Sequence, residues 1–386
     1  MDSRPRTLRR RTGRRWAAVV AVALAGAAAA PAWLPTAWAD RTPPPSAGNA
    51  PSDPQELRVM TRNIYLGASL TPALTARDTP GLLAAVSAIY AGVRATDFAV
   101  RAEGLADEIQ AAQPGLVGLQ EVTTWTTTGP GAGPSQDFLA ILQQALDRRG
   151  LRYSVASVTA GTDVGPIPLT APCASPTVGA CTIRLQDRDV VLVNERTPGL
   201  RWSTPRNGTY RARLAVPLPG VPPVQLVHGW ASVEATHHGA PFRFVTTHLE
   251  TQQAPDVQEA QAVEFLNGPV SGADTVIAVG DFNSAADGTT TGTYRLLTGR
   301  FRDAWAATSP AADGFTCCQE PTLSGTAGQL ASRIDLVLLT GPVSARHARV
   351  VGAQPFRDAP PRYTSDHAGV VAGVRWERPA GAGPTP

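Results

Sequence analysis

The chain has 386 residues, 43% of them hydrophobic, and a formal charge of +3. That is enough apolar material for one large domain or two modest ones. Residues 1–39 carry seven arginines and a single acid, Asp2, a net +6 that leaves −3 on residues 40–386. The body is therefore mildly acidic. This excludes a global basic field for drawing in nucleic acid; any such contact must come from local arginines. The sequence has no lysine, so every basic side chain is arginine, which reads as coding bias rather than function.

The arginine-rich start precedes WAAVVAVALAGAAAA, a stretch too short and too rich in alanine for a membrane span. Ala37-Trp38-Ala39 fits a small–x–small cleavage rule. Residues 1–39 are expected to act as an export signal, cut near Ala39-Asp40, so that the protein is secreted; an uncleaved anchor is the alternative. Arg14-Arg15 also permits the twin-arginine route. Residues 40–55 read as a Pro/Ser/Gly linker, 56–376 as one domain without internal repeats, and 377–386 as a flexible tail. The expected state is a monomer with no obligate protein partner.

Strand-like runs recur along that domain: 57–66, 115–122, 190–195, 229–236, 242–250, 275–282, 333–339 and 368–374. Phe98, Ala102, Leu105, Ile109 and Ala112 share one face of a helix. A second helix is expected in SQDFLAILQQALDRRG, with Ser135 as N-cap and Gly150 as stop, and a third in APDVQEAQAVEFLNG, with Pro255 near its start and Gly268 after its end. THHGAP reads as a hairpin turn. Residues 123–136 and 159–187 read as long Gly/Pro/Thr-rich loops. Strands mixed with helices and a hairpin point to an α/β sandwich rather than a purely parallel sheet.

Four cysteines suit an exported protein with one or two disulfides. Cys173 and Cys181 flank a short Pro/Gly loop and are the expected pair. Cys317 and Cys318 are adjacent and could bridge to each other or pair elsewhere. A zinc site is not expected, since no histidine stands at ligand spacing from them.

The strands end in an unusual way. TVIAVGDFN is an apolar run closing on Asp281 and Asn283, two apart and so on one face, about 6–7 Å between Cα atoms. Two oxygen donors there suit a divalent cation or a phosphate-bound water, although turn chemistry alone would also place them. The pattern then repeats. Asn63, Gln120-Glu121, His248, Asp335 and Asp366-His367 are polar residues at or near the ends of other apolar strands, and together they look like one site at a common sheet edge. His228, His237, His238 and His347 read as surface residues.

The pieces TRNIYLG, VGLQEV, VTTHLE, VGDFNS, RIDLVL and SDHAGV, in that order across 57–374, resemble the endonuclease/exonuclease/phosphatase superfamily, which includes deoxyribonuclease I and neutral sphingomyelinases. The resemblance implies a four-layer αββα sandwich of two packed mixed β-sheets, with the site at one edge. It implies Asn63, Glu121 and Asp366 at metal and phosphate places, Glu121 being the main Mg²⁺ ligand, with Mn²⁺ or Ca²⁺ as other possibilities. Asp281 and Asn283 would align water and phosphate, His248 would meet a phosphoryl oxygen or the leaving group, and Asp335 would orient His367, with Arg333 a conceivable partner for Asp335 or for phosphate. The chemistry is sound by itself: cleaving an anionic phosphodiester needs a cation, a held water and a proton donor. Gly115 departs from the family, which often has Asp there. The family's substrate-contacting Tyr and Arg have no clear match, and Asn207, Tyr210 and Arg211 are the nearest candidates. The function implied is a secreted nuclease acting on phosphodiesters. A phospholipase C or sphingomyelinase taking a phospholipid headgroup is the alternative, for which Trp125 and apolar residues 164–172 would meet the membrane. A phosphate-binding module without activity is the third reading.

Overall fold

The computed structural model describes residues 55–130, 132–170, 181–326 and 328–377. The expected export signal, nearly all of the linker, the tail beyond Glu377, and Cys173 with its expected bridge to Cys181 lie outside the described residues.

In chain order the elements begin β1 (Leu57–Asn63), α1 (Thr71–Leu74), α2 (Thr79–Ala95), α3 (Phe98–Ala112), β2 (Leu116–Gln120), β3 (Thr124–Thr128), β4 (Gln136–Asp137) and α4 (Phe138–Arg148). Then come β5 (Tyr153–Pro168), β6 (Thr182–Asn194), β7 (Leu200–Thr209), β8 (Leu214–Val216), β9 (Val224–Leu226), β10 (Gly229–His237) and β11 (Ala240–His248). The chain finishes with α5 (Pro255–Asn267), β12 (Val276–Asp281), α6 (Thr293–Thr298), β13 (Arg302–Asp303), α7 (Ala304–Thr308), β14 (Asp335–Thr340), β15 (Val343–Val351) and β16 (Gly369–Trp376).

One sheet has the order β15-β16-β1-β2-β6-β3-β4, with β5 also paired to β6, and the other β13-β14-β12-β11-β10-β7. Both mix parallel and antiparallel pairs: β1 runs parallel to β2 and β11 parallel to β12, whereas β16 and β14 join antiparallel. Strand alternation then builds the layers. Val59, Leu116, Val191 and Val193 face Ala231, Phe244, Ile277 and Val279 between the sheets. Their neighbours Met60, Val117, Val190 and Leu192 turn outward onto Val86 of α2, Leu105 of α3 and Leu142 of α4. On the far side Val276, Ala278 and Leu336 meet Ala262 and Phe265 of α5 and Leu297 of α6. The result is the expected helix–sheet–sheet–helix order. Gly118 marks the close approach of the sheets, for a Cβ there would lie 2.5 Å from both Val279 Cγ2 and Thr246 Oγ1.

The expected core strands are all present, but several details differ. The cap of α4 is Asp137, whose Oδ1 accepts from Leu139 N and Ala140 N, and not Ser135. The stretches read as loops contain strand: β3 falls within 123–136 and β4 begins at its end, and β5 and β6 extend into 159–187, paired through register shifts at Ala160/Asp163 and Val164/Ile167. Threonine and valine favour pleated backbone, and the bulges absorb the glycines that break the period. The turn between β10 and β11 is as expected: His238 and Gly239 both have positive φ, 49° and 85°, as a two-residue type I′ hairpin requires.

His237 is not at the surface. Its ring lies 5.5 Å from that of Trp376, and burial, with His238 second, pushes its pKa down to about 4 from 6.5. The unfolded chain therefore binds the extra proton between those values. This share of stability is complete above pH 6.5 and is lost as pH falls toward 4. Replacing His237 with Gln should flatten the acid side of the stability curve, by on the order of 2 kcal/mol. Urea unfolding at neutral and acid pH measures it; identical pH dependence in both proteins would refute it.

Candidate active site

The ends of the central strands meet at one edge of the two sheets. Asn63 closes β1, Glu121 follows β2, His248 closes β11 and Asp281 closes β12. Register brings the last of these together, His248 opposite Asp281 and Asp281 opposite Asp335. The Asn63 Nδ2 donates to Glu121 Oε1 at 3.0 Å and to Asp281 Oδ2 at 3.1 Å, tying the two sheets together. Its Oδ1 accepts from Tyr65 N, so the group it turns to the carboxylates is the amide nitrogen. Glu121 has φ 58° and its Oε2 accepts from Leu66 N at 2.7 Å. Such a left-handed conformation in a non-glycine residue is held only by its surroundings, and it aims the carboxylate across the strand end.

Asp281 Oδ1 accepts from Asn283 N at 2.9 Å, and its Oδ2 lies 3.6 Å from His248 Nε2 and 3.7 Å from His367 Nδ1. Asn283, at φ 50°, donates its Nδ2 to Leu249 O and sets it 3.2 Å from His248 Nε2. Burial holds the His248 pKa below the usual histidine value, and its Nδ1 is buried with no hydrogen-bond partner among the described residues.

Asp335 is fully buried, and its Oδ2 lies 2.9 Å from His367 Nδ1. Burial opposes charge on His367, but Asp335 and Asp281 outweigh it and raise its pKa well above the ordinary value. Arg62 and Arg101, both buried, anchor the loop that carries His367: Arg62 donates to His367 O and Thr364 Oγ1, and Arg101 to Ile64 O, Tyr65 O and Thr364 O. Asp366 is half-buried, and burial first and then the Glu121 charge raise its pKa to about 7. Glu121, Asp281 and Asp366 crowd negative charge into one place, and Asp335 Oδ1 has no hydrogen-bond partner. Several hard oxygen donors with unmet capacity fit a divalent cation, and Asp281, Asp335 and His367 offer ligand atoms within 4.8 Å of one another.

Other expectations fall elsewhere. Tyr210 is 1% exposed, and its hydroxyl lies 2.6 Å from Thr247 Oγ1, beneath the site rather than in it. Arg211 has a side chain 94% exposed, 3.7 Å from Glu264. Asn207 is exposed in β7, opposite Ala231 and set back from the sheet end. Arg333 pairs with Asp303 at 2.5 Å, away from both Asp335 and the cluster. Trp125 is buried and donates Nε1–H to Leu66 O. The Cys317 and Cys318 sulfurs pair with each other, and Cys318 Sγ lies 4.0 Å from His367 Nε2.

Four side chains join the cluster without having been expected there. His228, read as surface, has a side chain only 12% exposed, 3.5 Å from Glu250 Oε2, and its ring meets that of His248 edge-on at 4.8 Å. Asp187 and Asp189 stand before the apolar half of β6, each with a buried oxygen lacking a partner. The signal was present in LQDRDVVLV and HLE: polar side chains two apart beside an apolar run, as Asp281 and Asn283 are in GDFN.

The fold and this cluster define a class, a four-layer sandwich with carboxylates and histidines gathered at one edge of its paired sheets. The model of the endonuclease/exonuclease/phosphatase family matches residues 63–367, and the chain belongs to that family, whose members are phosphoester hydrolases. No curated protein matches the sequence. Among solved structures, a family protein from Leptotrichia buccalis is similar at TM-score 0.52 and 13% identity, over 83% of this chain and 100% of that one. Another from Beutenbergia cavernae is similar at 0.50 and 20%, over 84% and 72%. D. rerio TDP2 complexed with single strand DNA product stands at 0.49 and 15%, over 83% and 99%. At these identities the likeness is one of fold.

Proposed function

We propose that this protein is an exported phosphodiesterase of nuclease type that works with a divalent cation, Mg²⁺ first and Mn²⁺ or Ca²⁺ as alternatives. The observation that carries the reading is the convergence of Glu121, Asp281 and Asn63 with two histidines on one sheet edge. Glu121 and Asp366 are the residues to hold the cation, with Asn63 fixing Glu121 and Asp281 in place. When bound, the cation offsets charge on the phosphate oxygens. Asp281, locked by Asn283 N and lying beside His367 Nδ1, takes the proton of the attacking water. His367, charged against Asp335, steadies the negative charge that builds on the phosphoryl oxygens. His248 and Asn283 brace each other and wall the phosphate pocket.

A lipid substrate is less well supported, because Trp125, the aromatic residue expected to meet a membrane, is buried. A panel of plasmid DNA, RNA, sphingomyelin and bis-(4-nitrophenyl) phosphate with Mg²⁺ tests the reading. Turnover of the aryl diester and of nucleic acid is expected. Cleavage of sphingomyelin alone would move the protein to the lipid branch, and inertness on every diester would end the proposal. Export is checked separately, by the N-terminus of protein recovered outside the cell, which should begin near Asp40.

A further inference from the structure

The site contains a second histidine–carboxylate pair, His228 with Glu250, that none of the roles above uses. Across one sheet the polar ends form a row: Asp335 on β14, Asp281 on β12, His248 on β11, and His228 just ahead of β10. Three strand gaps separate the ends of that row, about 14 Å at the usual spacing. His367 stands with Asp335 at one end and His228 with Glu250 at the other. In-line displacement puts the attacking water and the leaving oxygen on opposite sides of phosphorus. Asp281, beside His367, serves the water's side, and the His228 pair stands toward the opposite end of the row. His248, between them, is less suited to be the acid: its Nε2 stands 3.2 Å from the Asn283 amide nitrogen, no carboxylate among the described residues lies within 3.5 Å of it, and burial holds its pKa below the usual value.

We propose that His228, held by Glu250, is the residue that protonates the leaving oxygen. This rests on the phosphodiesterase reading. As the P–O bond to the leaving group breaks, its electron pair passes to that oxygen, which takes a proton from the His228 ring. The water's oxygen bonds to phosphorus and its own proton passes to Asp281, and exchange with solvent restores both residues. Glu250 is well set for its part. It is 1% exposed, its backbone N is fixed by Gln261 Oε1, and its own Oε1 accepts from Thr251 N, which leaves Oε2, without a hydrogen-bond partner among the described residues, 3.5 Å from His228 Nε2. Burial works against charge on His228, but Glu250, then Asp187 and Asp281, outweigh it and hold its pKa above the usual value. A histidine placed only to fill space would need no such partner.

The test is a comparison of leaving groups in folded His228→Gln, with methyl 4-nitrophenyl phosphate and methyl phenyl phosphate as probes. The first expels a weakly basic oxygen that needs little protonation; the second expels a more basic one. His228→Gln should lose about 10²–10³-fold in kcat/KM on the phenyl ester and under about tenfold on the nitrophenyl ester. Glu250→Gln, the second variant, should show the same selectivity to a smaller degree. Equal losses on both esters, or none, in proteins that melt like the unchanged one would overturn the assignment. Failure of the broader reading looks different: there the unchanged protein itself cleaves neither ester, and the leaving-group role falls with it.

Discussion

Folded Asp335→Asn, at saturating Mg²⁺, should turn over a phosphodiester about 10²–10⁴ times more slowly than the unchanged protein. Asp335 Oδ2 is 2.9 Å from His367 Nδ1, against 3.7 Å for Asp281 Oδ2. A carboxylate there holds the proton on Nδ1 and favours the charged ring. A carboxamide of the same shape either turns its NH₂ against that nitrogen or offers a neutral oxygen, so the charge preference is lost while the volume is kept. The fold should survive because the side-chain volume is kept, but removing one partner of a buried pair lowers stability, by about 3–5 kcal/mol where the other stays charged. His367→Ala should lose activity to a similar extent. The measurement is kcat beside the melting temperature. Near-normal turnover in Asp335→Asn would make Asp335 a structural strand acid and dissolve the pair.

Chelation is the second large effect. EDTA should abolish turnover, and Glu121→Gln should raise the Mg²⁺ concentration needed for half-maximal rate by about 10–100-fold, with partial recovery at high metal. Glu121 is held at φ 58° by its bond from Leu66 N and by Asn63, so the amide variant keeps the loop but offers one neutral oxygen in place of a carboxylate. Binding can be read without catalysis. Mg²⁺ or Mn²⁺ should raise the melting temperature of the unchanged protein, since a ligand of the native state stabilises it by mass action, and the rise should be smaller in Glu121→Gln. Activity that survives complete chelation would remove the cation from the reading.

Most of the polar sheet edge was legible in the sequence because strands carry their own ruler. Runs such as TVIAVGD and RFVTTH are long enough, and rich enough in β-branched residues, to be strands. Their period of two fixes which face each residue takes, so Asn63, Glu121, His248, Asp281 and Asp335 could be placed at strand ends before any contact was known. The helices were legible where a cap and an apolar face agreed, as in Phe98–Ala112, and slipped at the edge where two caps competed, Ser135 against Asp137. The rest waited on the tertiary structure. The THHGAP turn already set β10 beside β11, but whether His228 is surface or site depends on Glu250 turning back toward it, which the residues around GW do not reveal. Tyr210 and Arg211, side by side in sequence, part company in space, one beneath the sheet end and the other in solvent. Local pattern determines backbone state and face over a few residues. Which ends meet is decided by strand order and register across hundreds of residues, and that is a property of the packed sheets.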